Sequence, residues 1–212
     1  MNKDELKRLS ELGVATVYEA SGREGLIDVP LIRLIPGSRT AGPARTVLCG
    51  QDDNLMVHAA IEQIRPGDVV VLTMPEPAPV ALVGELLVTQ IKVRSAAGIL
   101  VDAAARDVEE LVKLGLPVWT RFIRVKGATK TKVGELNVVV TVGGAHISPS
   151  DIVVLDADGG VCLRQERAGE ILKAAEARCD REARLREKLA AGEMSYNLHG
   201  LREIVETRLR KP

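Results

Sequence analysis

"LVDAAARDVEEL", residues 100–111, decides the fold class. An apolar run closes on Asp102 and three alanines follow. Arg106 and Asp107 then stand side by side where Val108, Leu111, Val112 and Gly115 begin a helical period. This is the grammar of a strand end, a small-residue loop and a helix start. Asp107 carries two readings. Asp-x-x-Glu spacing to Glu110 makes it an N-cap in a capping box. The junction also lies where α/β proteins place ligand chemistry, with Arg106 and Asp107 aimed into the crevice.

Outward from this segment, strand and helix patterns alternate. On the N-terminal side come "TAGPARTVLCG" (40–50) as a strand and "NLMVHAAIEQI" (54–64) as a helix. "RPGDVVVLTM" (65–74) follows as a tight turn feeding a buried strand, then "ALVGELLVTQIKVRSAA" (81–97) as an apolar helix and "GILVD" (98–102) as a strand. Two short helices precede them, the charged amphipathic "MNKDELKRLSELG" and "VATVYEASG", the latter ended by Gly22. Beyond residue 116, short β-rich runs dominate: "PVWTRFI", "NVVVTVGGAHI", "DIVVLDADG" and "GVCLR". "PGDVVVL" and "PSDIVVL" resemble each other through ordinary Pro-x-Asp turn chemistry. A long charged helix spans Gln165 to Ala191, with Ala168, Ile171, Leu172, Ala175, Cys179, Ala183 and Leu189 near one face. It outlasts its own core, so its far end is expected to pack on another subunit. The expected organisation is an α/β core over 1–164 and a C-terminal helical extension over 165–212.

Composition excludes several function classes. Lys plus Arg and Asp plus Glu each number 29, so no overall field draws the chain to nucleic acid or an anionic membrane. With only Tyr18, Trp119, Phe122 and Tyr196 as aromatics, a base-stacking platform has little material. No signal-peptide apolar region or bilayer-length run is present. Cys49, Cys162 and Cys179 lack CxxC or zinc-ligand spacing, which fits a reducing, cytoplasmic setting.

HExxH, Gly-x-Ser-x-Gly, GxGxxG and GxxxxGK[ST] are all absent, which removes caged zinc, a serine elbow, dinucleotides and nucleoside triphosphates. His58, inside an apolar helix, reads as a core histidine. Lys92 is a Schiff-base candidate by position only, and a snorkelling surface lysine is the plainer reading. A hard cation needs only one or two carboxylates with water and substrate oxygens, and Asp107 can provide the first. In "GELL", a helix beginning near Gly84 would leave the amides of Leu86 and Leu87 as unpaired donors suited to a carboxylate. The same residues also fit as packing positions of an apolar helix.

Several stretches in this order resemble one family. They are "GVATVYEASGREGL", "DDNLMVHAAIEQIRPGDVVVL", "GELLVTQIKVRSAAGILVDAAARDVEEL", "LGLPVWTR", "DADGGVCL" and "LAAGEMSYNLHGLRE". Together they resemble the class II pyruvate aldolases acting on 4-hydroxy-4-methyl-2-oxoglutarate and 4-carboxy-4-hydroxy-2-oxoadipate, within the RraA-like superfamily, from about residue 13 to about residue 204. The resemblance implies an α/β/β/α sandwich of the swivelling β/β/α type, with a long C-terminal helix and tail. It implies trimers or hexamers with active sites between subunits. It further implies Mg²⁺ or Mn²⁺ on Asp107, Arg106 on the keto and developing enolate oxygen, and the amides of Gly84, Glu85, Leu86 and Leu87 on the pyruvyl carboxylate. Glu85 would stand near the metal waters and Asn54 would line the site, while Glu19 and Glu182 would come across the interface. Oxaloacetate decarboxylation is the implied side activity. The superfamily also includes regulators that bind a ribonuclease without catalysis, which is the competing implication. Two departures stand out. Gly160 replaces a usual branched aliphatic, and "MPEPAPVALVGELL" replaces a more polar approach to GELL.

Overall fold

The computed structural model describes residues 1–209. In chain order the elements are α1 (Lys3–Leu12), α2 (Val14–Ala20), β1 (Ile32–Arg33), β2 (Thr40–Leu48), α3 (Leu55–Ile61), β3 (Val69–Thr73), β4 (Ala81–Val83) and α4 (Glu85–Val93). Then follow β5 (Gly98–Ala105), α5 (Val108–Leu114), β6 (Val118–Ile123), β7 (Glu135–Leu136), β8 (Val140–Val142), β9 (Ala145–Ile147), β10 (Ile152–Leu155) and β11 (Gly160–Leu163). The helices α6 (Ala168–Ala190), α7 (Ser195–Leu198) and α8 (Leu201–Leu209) complete the chain's described part.

A nine-stranded sheet runs in the order β1-β6-β5-β3-β2-β10-β11, with β4 paired to β5 and β7 paired to β2 beside that path. Its middle, β6-β5-β3-β2, is parallel, and both edges are antiparallel. The two innermost strands, β3 and β5, are mostly Val, Leu, Ile and Ala and are buried along their whole length, as a parallel sheet covered on each side requires. The pleat sends Ile99, Val101, Ala103 and Ala105 into a core shared with α3, α4 and α5. Leu100, Val71 and Trp119 face the other way, onto Val153 and Leu155 of β10 and onto the β8–β9 hairpin. The outer face of β10–β11, through Ile152, Val154, Val161 and Leu163, packs on α1, α2 and the first turns of α6. The result is four layers, α/β/β/α, as the resemblance implies.

Compactness divides the chain at Ala175, giving one unit over Met1–Ala175 and a second from Glu176 onward. Ala168, Ile171, Leu172 and Ala175 of α6 are buried in the first unit. The second unit is helical, with the Arg202 guanidinium over the Tyr196 ring at 4.8 Å. No described helix is long and apolar enough to cross a membrane.

Several local readings change. Residues 81–83, expected as the start of a helix, form β4, because Ala81 and Val83 pair with Ala104 and Ala105 beyond the point where β3 ends. The three alanines after Asp102 are strand too, and Ala104 and Ala105 carry the pairing with β4. Asp102 itself is buried, ion-paired to Arg121 Nη1 at 3.2 Å; burial raises its carboxyl's pKa and Arg121 opposes that. The Pro-x-Asp likeness has a common physical basis. Asp68 Oδ2 accepts the Arg65 amide and Asp151 Oδ2 accepts the Ser148 amide, each closing the turn that feeds a strand. Gly160 is structural, since a Cβ there would press on Leu155 Cδ2 at 2.6 Å and Ile27 Cδ1 at 3.0 Å. Lys92 donates to the Leu114 carbonyl, ending α5, so its ammonium is committed to a surface contact.

Candidate active site

β4 and β5 end side by side, and the chain turns into α4 after one and α5 after the other. Both turns therefore open at the carboxyl end of the parallel strands, the usual place for a ligand in an α/β sheet. The Arg106 amide extends the ladder by donating to the Val83 carbonyl at 3.1 Å. Asp107 then adopts a left-handed conformation, φ 60° and ψ 43°. It occupies the N-cap position of α5, but its side chain makes no capping hydrogen bond, so the expected box with Glu110 does not form. The left-handed backbone swings the carboxylate off its own helix and onto the next turn. There Oδ2 accepts the Glu85 amide at 3.0 Å and stands 3.7 Å from Arg106 Nε.

Gly84 makes this crossing possible. A Cβ at position 84 would collide with Asp107 Oδ2 and lie 3.1 Å from Arg106 Cγ. Gly127 leaves room for Arg106 alone, since a Cβ there would sit 2.9 Å from Arg106 Nη1. With the Glu85 amide taken and the helical ladder starting at Val88, which donates to the Gly84 carbonyl, Leu86 and Leu87 have amides without a helical acceptor. They head a nine-residue helix whose positive dipole end favours an anion. The packing alternative is half right: Leu87 and Ile91 are core, but Leu86 is 75% exposed.

These groups line a cavity of about 300 Å³, together with Asn54, His58, Gln90 and Lys130. Arg106 and Asp107 keep 48% and 41% of their side-chain surface exposed, so both are reachable from solvent. His58 is exposed on α3 rather than buried, because the seven-residue helix turns that position out of the core while Val57 and Ala60 face in.

Asn54 and Lys130 are brought together by a clasp that no sequence motif announces. Asp53 is wholly buried; its Oδ2 accepts the Thr129 hydroxyl and the Thr131 amide, both at 2.6 Å, and its Oδ1 accepts the Leu55 amide at 2.8 Å. Burial alone would raise this carboxyl's pKa. Hydrogen bonds from the Thr129 hydroxyl and the Thr131, Leu55 and Lys132 amides outweigh that and hold it well below the usual carboxylate range. The Asn54 amide donates to the Thr129 carbonyl at 2.9 Å, and its side-chain Nδ2 donates to the Leu82 carbonyl at 3.0 Å. That leaves Asn54 Oδ1 buried without a hydrogen-bond partner.

Among the described residues, no three His, Cys, Asp or Glu side chains converge as a metal cage. The donor set nevertheless fits a hard cation. Asp107 presents one carboxylate whose Oδ1 makes no hydrogen bond, over a floor kept open by Gly84, and Mg²⁺ asks for little more from protein. The Glu85 carboxylate accepts the Thr89 hydroxyl at 3.2 Å and is not part of the cavity lining; its backbone amide is its contribution. Glu19 pairs with Arg23 on α2, away from this lining, and Glu182 pairs with Arg178 at 2.8 Å in the second unit.

A family model described as RraA-like, Aldolase/RraA, matches residues 14–162. A protein of Halalkalibacterium halodurans named "Putative 4-hydroxy-4-methyl-2-oxoglutarate aldolase" is 35% identical over 149 residues, 70% of this chain and 71% of that one. Among solved structures, Streptomyces coelicolor RraAS2, described as an unusual member of the RNase ES inhibitor RraA protein family, superposes with a TM-score of 0.77 at 29% identity, covering 88% of this chain and 97% of that one. An uncharacterized protein of Pseudomonas syringae pv. tomato shares the fold at a TM-score of 0.82 and 24% identity, over 92% of both chains.

Proposed function

The chain belongs to the RraA-like family, and from that premise we propose that it is a class II aldolase. Its reaction would be divalent-metal-dependent retro-aldol cleavage of 4-hydroxy-4-methyl-2-oxoglutarate or 4-carboxy-4-hydroxy-2-oxoadipate. The products would be pyruvate plus pyruvate or oxaloacetate, with oxaloacetate decarboxylation as a side activity. One observation carries this reading: Arg106, Asp107 and the spare amides of Leu86 and Leu87 line the same cavity.

In this reading Asp107 would hold Mg²⁺ or Mn²⁺, which would supply Lewis-acid polarisation of the 2-oxo acid. The Leu86 and Leu87 amides bind the C1 carboxylate at the helix N-terminus. As the C3–C4 bond breaks, its electron pair moves into the C2–C3 enolate, the C4 hydroxyl passes its proton to solvent water as the new carbonyl forms, and C3 then takes up a proton from water to give pyruvate. Arg106 directs its guanidinium at that developing charge, where a preorganised donor lowers the barrier without a covalent intermediate. Gly84 and Gly127 keep the two side chains in place by denying the space to a Cβ. Assembly as a trimer or hexamer belongs to the same proposal, with Glu19 and Glu182 presented to a neighbouring subunit's site; light scattering measures the state.

The test is pyruvate release after exhaustive dialysis against EDTA, with and without added Mg²⁺. Activity that vanishes and returns supports the reading, and full turnover in chelator removes the metal from it. A second reading, a regulatory protein that binds a ribonuclease or another protein without catalysis, draws on the likeness to the Streptomyces structure. It predicts stoichiometric capture of that partner by the purified chain and no pyruvate from either substrate.

A further inference from the structure

Both candidate substrates carry a hydroxyl and a carboxylate on C4, at the opposite end from the pyruvyl carboxylate. We propose that Lys130 is the specificity residue for that distal carboxylate; the inference rests on the aldolase reading and assigns the half of the cavity that this reading leaves unassigned. Lys130 lines the cavity and is exposed, and among the described residues its ammonium has no hydrogen bond or ion pair. Asp107 is the one carboxylate among the lining residues, and it already faces Arg106. A second cation without a counter-charge leaves the cavity suited to a ligand bearing more than one negative charge.

The position of Lys130 is built rather than incidental. Both of its chain neighbours are bound by the buried Asp53 carboxylate, Thr129 through its hydroxyl and Thr131 through its amide. The Thr129 carbonyl accepts the Asn54 amide, and the Ala81 and Lys126 backbones pair across the same loop. The backbone carrying Lys130 is therefore anchored to α3 and β4, although the side chain itself is free to move. Beside it, Asn54 has its Nδ2 committed to the Leu82 carbonyl, so the amide cannot flip without setting two carbonyl oxygens against each other. Asn54 Oδ1 is left as an acceptor lacking a donor. A wall with a spare cation matches a carbon bearing a carboxylate. The flanking loop reinforces the match: residues 124–132 include Arg124, Lys126, Lys130 and Lys132 and no acid.

The experiment compares two substrates and two binding probes, in wild type, Lys130→Met and Lys130→Arg, all with Mg²⁺. 4-Hydroxy-4-methyl-2-oxoglutarate carries the distal carboxylate and 4-hydroxy-2-oxopentanoate does not. The ratio of their kcat/KM values should fall roughly 10- to 100-fold in Lys130→Met, the scale of one charged hydrogen bond, and recover in part in Lys130→Arg. An unchanged ratio, with both substrates equally impaired or equally unaffected, overturns the proposal. Calorimetry with 2-oxoglutarate and 2-oxopentanoate tests the subsite without turnover. Wild type should prefer the dicarboxylate and Lys130→Met should lose that preference; equal binding of the two by wild type also overturns it. If wild type cleaves neither substrate, the aldolase reading fails and the calorimetric comparison alone decides the role of Lys130.

Discussion

The backbone amide of Glu85 donates to Oδ2 of Asp107 at 3.0 Å, so the start of one helix is tied to the residue that precedes the next. The carboxylate thereby gives up its ordinary capping task, because a left-handed backbone at position 107 aims it across the strand ends. Such a conformation costs on the order of 1 kcal/mol for a non-glycine residue, and it persists because β5, Gly84 and α4 surround it.

Gly84→Ala tests whether that crossing matters. The new methyl would occupy the space of Asp107 Oδ2 and crowd Arg106. Turnover should fall on the order of 100-fold, as expected when reacting groups shift by about an ångström, while thermal unfolding shows the fold retained. A variant with wild-type turnover would mean that the cradle has no catalytic consequence.

Arg106→Ala should lower kcat by about 3 kcal/mol of lost transition-state stabilisation, with a smaller change in KM. Arg106→Lys should recover little, since an ammonium cannot reproduce the planar fork. Asp107→Asn separates two roles: an amide oxygen can still accept from Glu85, but it cannot supply a negative charge to a cation. Circular dichroism should be preserved while titration calorimetry loses its Mg²⁺ heat.

Asp53→Asn should show up in the pH dependence of stability. The folded carboxyl's pKa lies below its unfolded value of about 3.9, so its stabilising contribution is present above that value and lost as pH falls through the folded pKa. In urea melts the variant should be weaker than wild type at pH 7, with the gap narrowing as the pH falls below about 4. A constant gap at every pH would assign the loss to packing instead.

The three thiols should differ in reactivity. Burial pushes Cys49 and Cys162 up to about 12, with the charges of Asp53 and Asp151 adding to the shift, while Cys179 is part-exposed. At pH 8 a disulfide reagent should modify Cys179 first, and the other two only as fast as the protein opens. Rapid reaction of all three would contradict the described burial.

The alternation of strand and helix and the junction carrying Arg106 and Asp107 were legible because period and turn chemistry act over a few residues, whereas the four-layer class followed only from the family resemblance. The GELL helix start was one of two local readings, since the apolar run from Ala81 fits a single helix with Gly84 as a packing position equally within its period. What the chain could not announce depended on partners distant in sequence. Residues 81–83 read as helix alone, yet they are strand because β5 offers an unpaired edge beyond β3. Asp107 taken alone read first as a cap, and only its left-handed backbone and the neighbouring α4 amide turn it toward the cavity. His58 read as core, and the period of α3 turns it out while Val57 and Ala60 face in. Lys130 carried no signal at all, since 76 residues of chain separate Thr129 from the Asp53 carboxylate that anchors its loop. Local pattern speaks for backbone geometry, which neighbours in sequence govern; the direction of a functional side chain is set by whichever distant segment fills the space beside it.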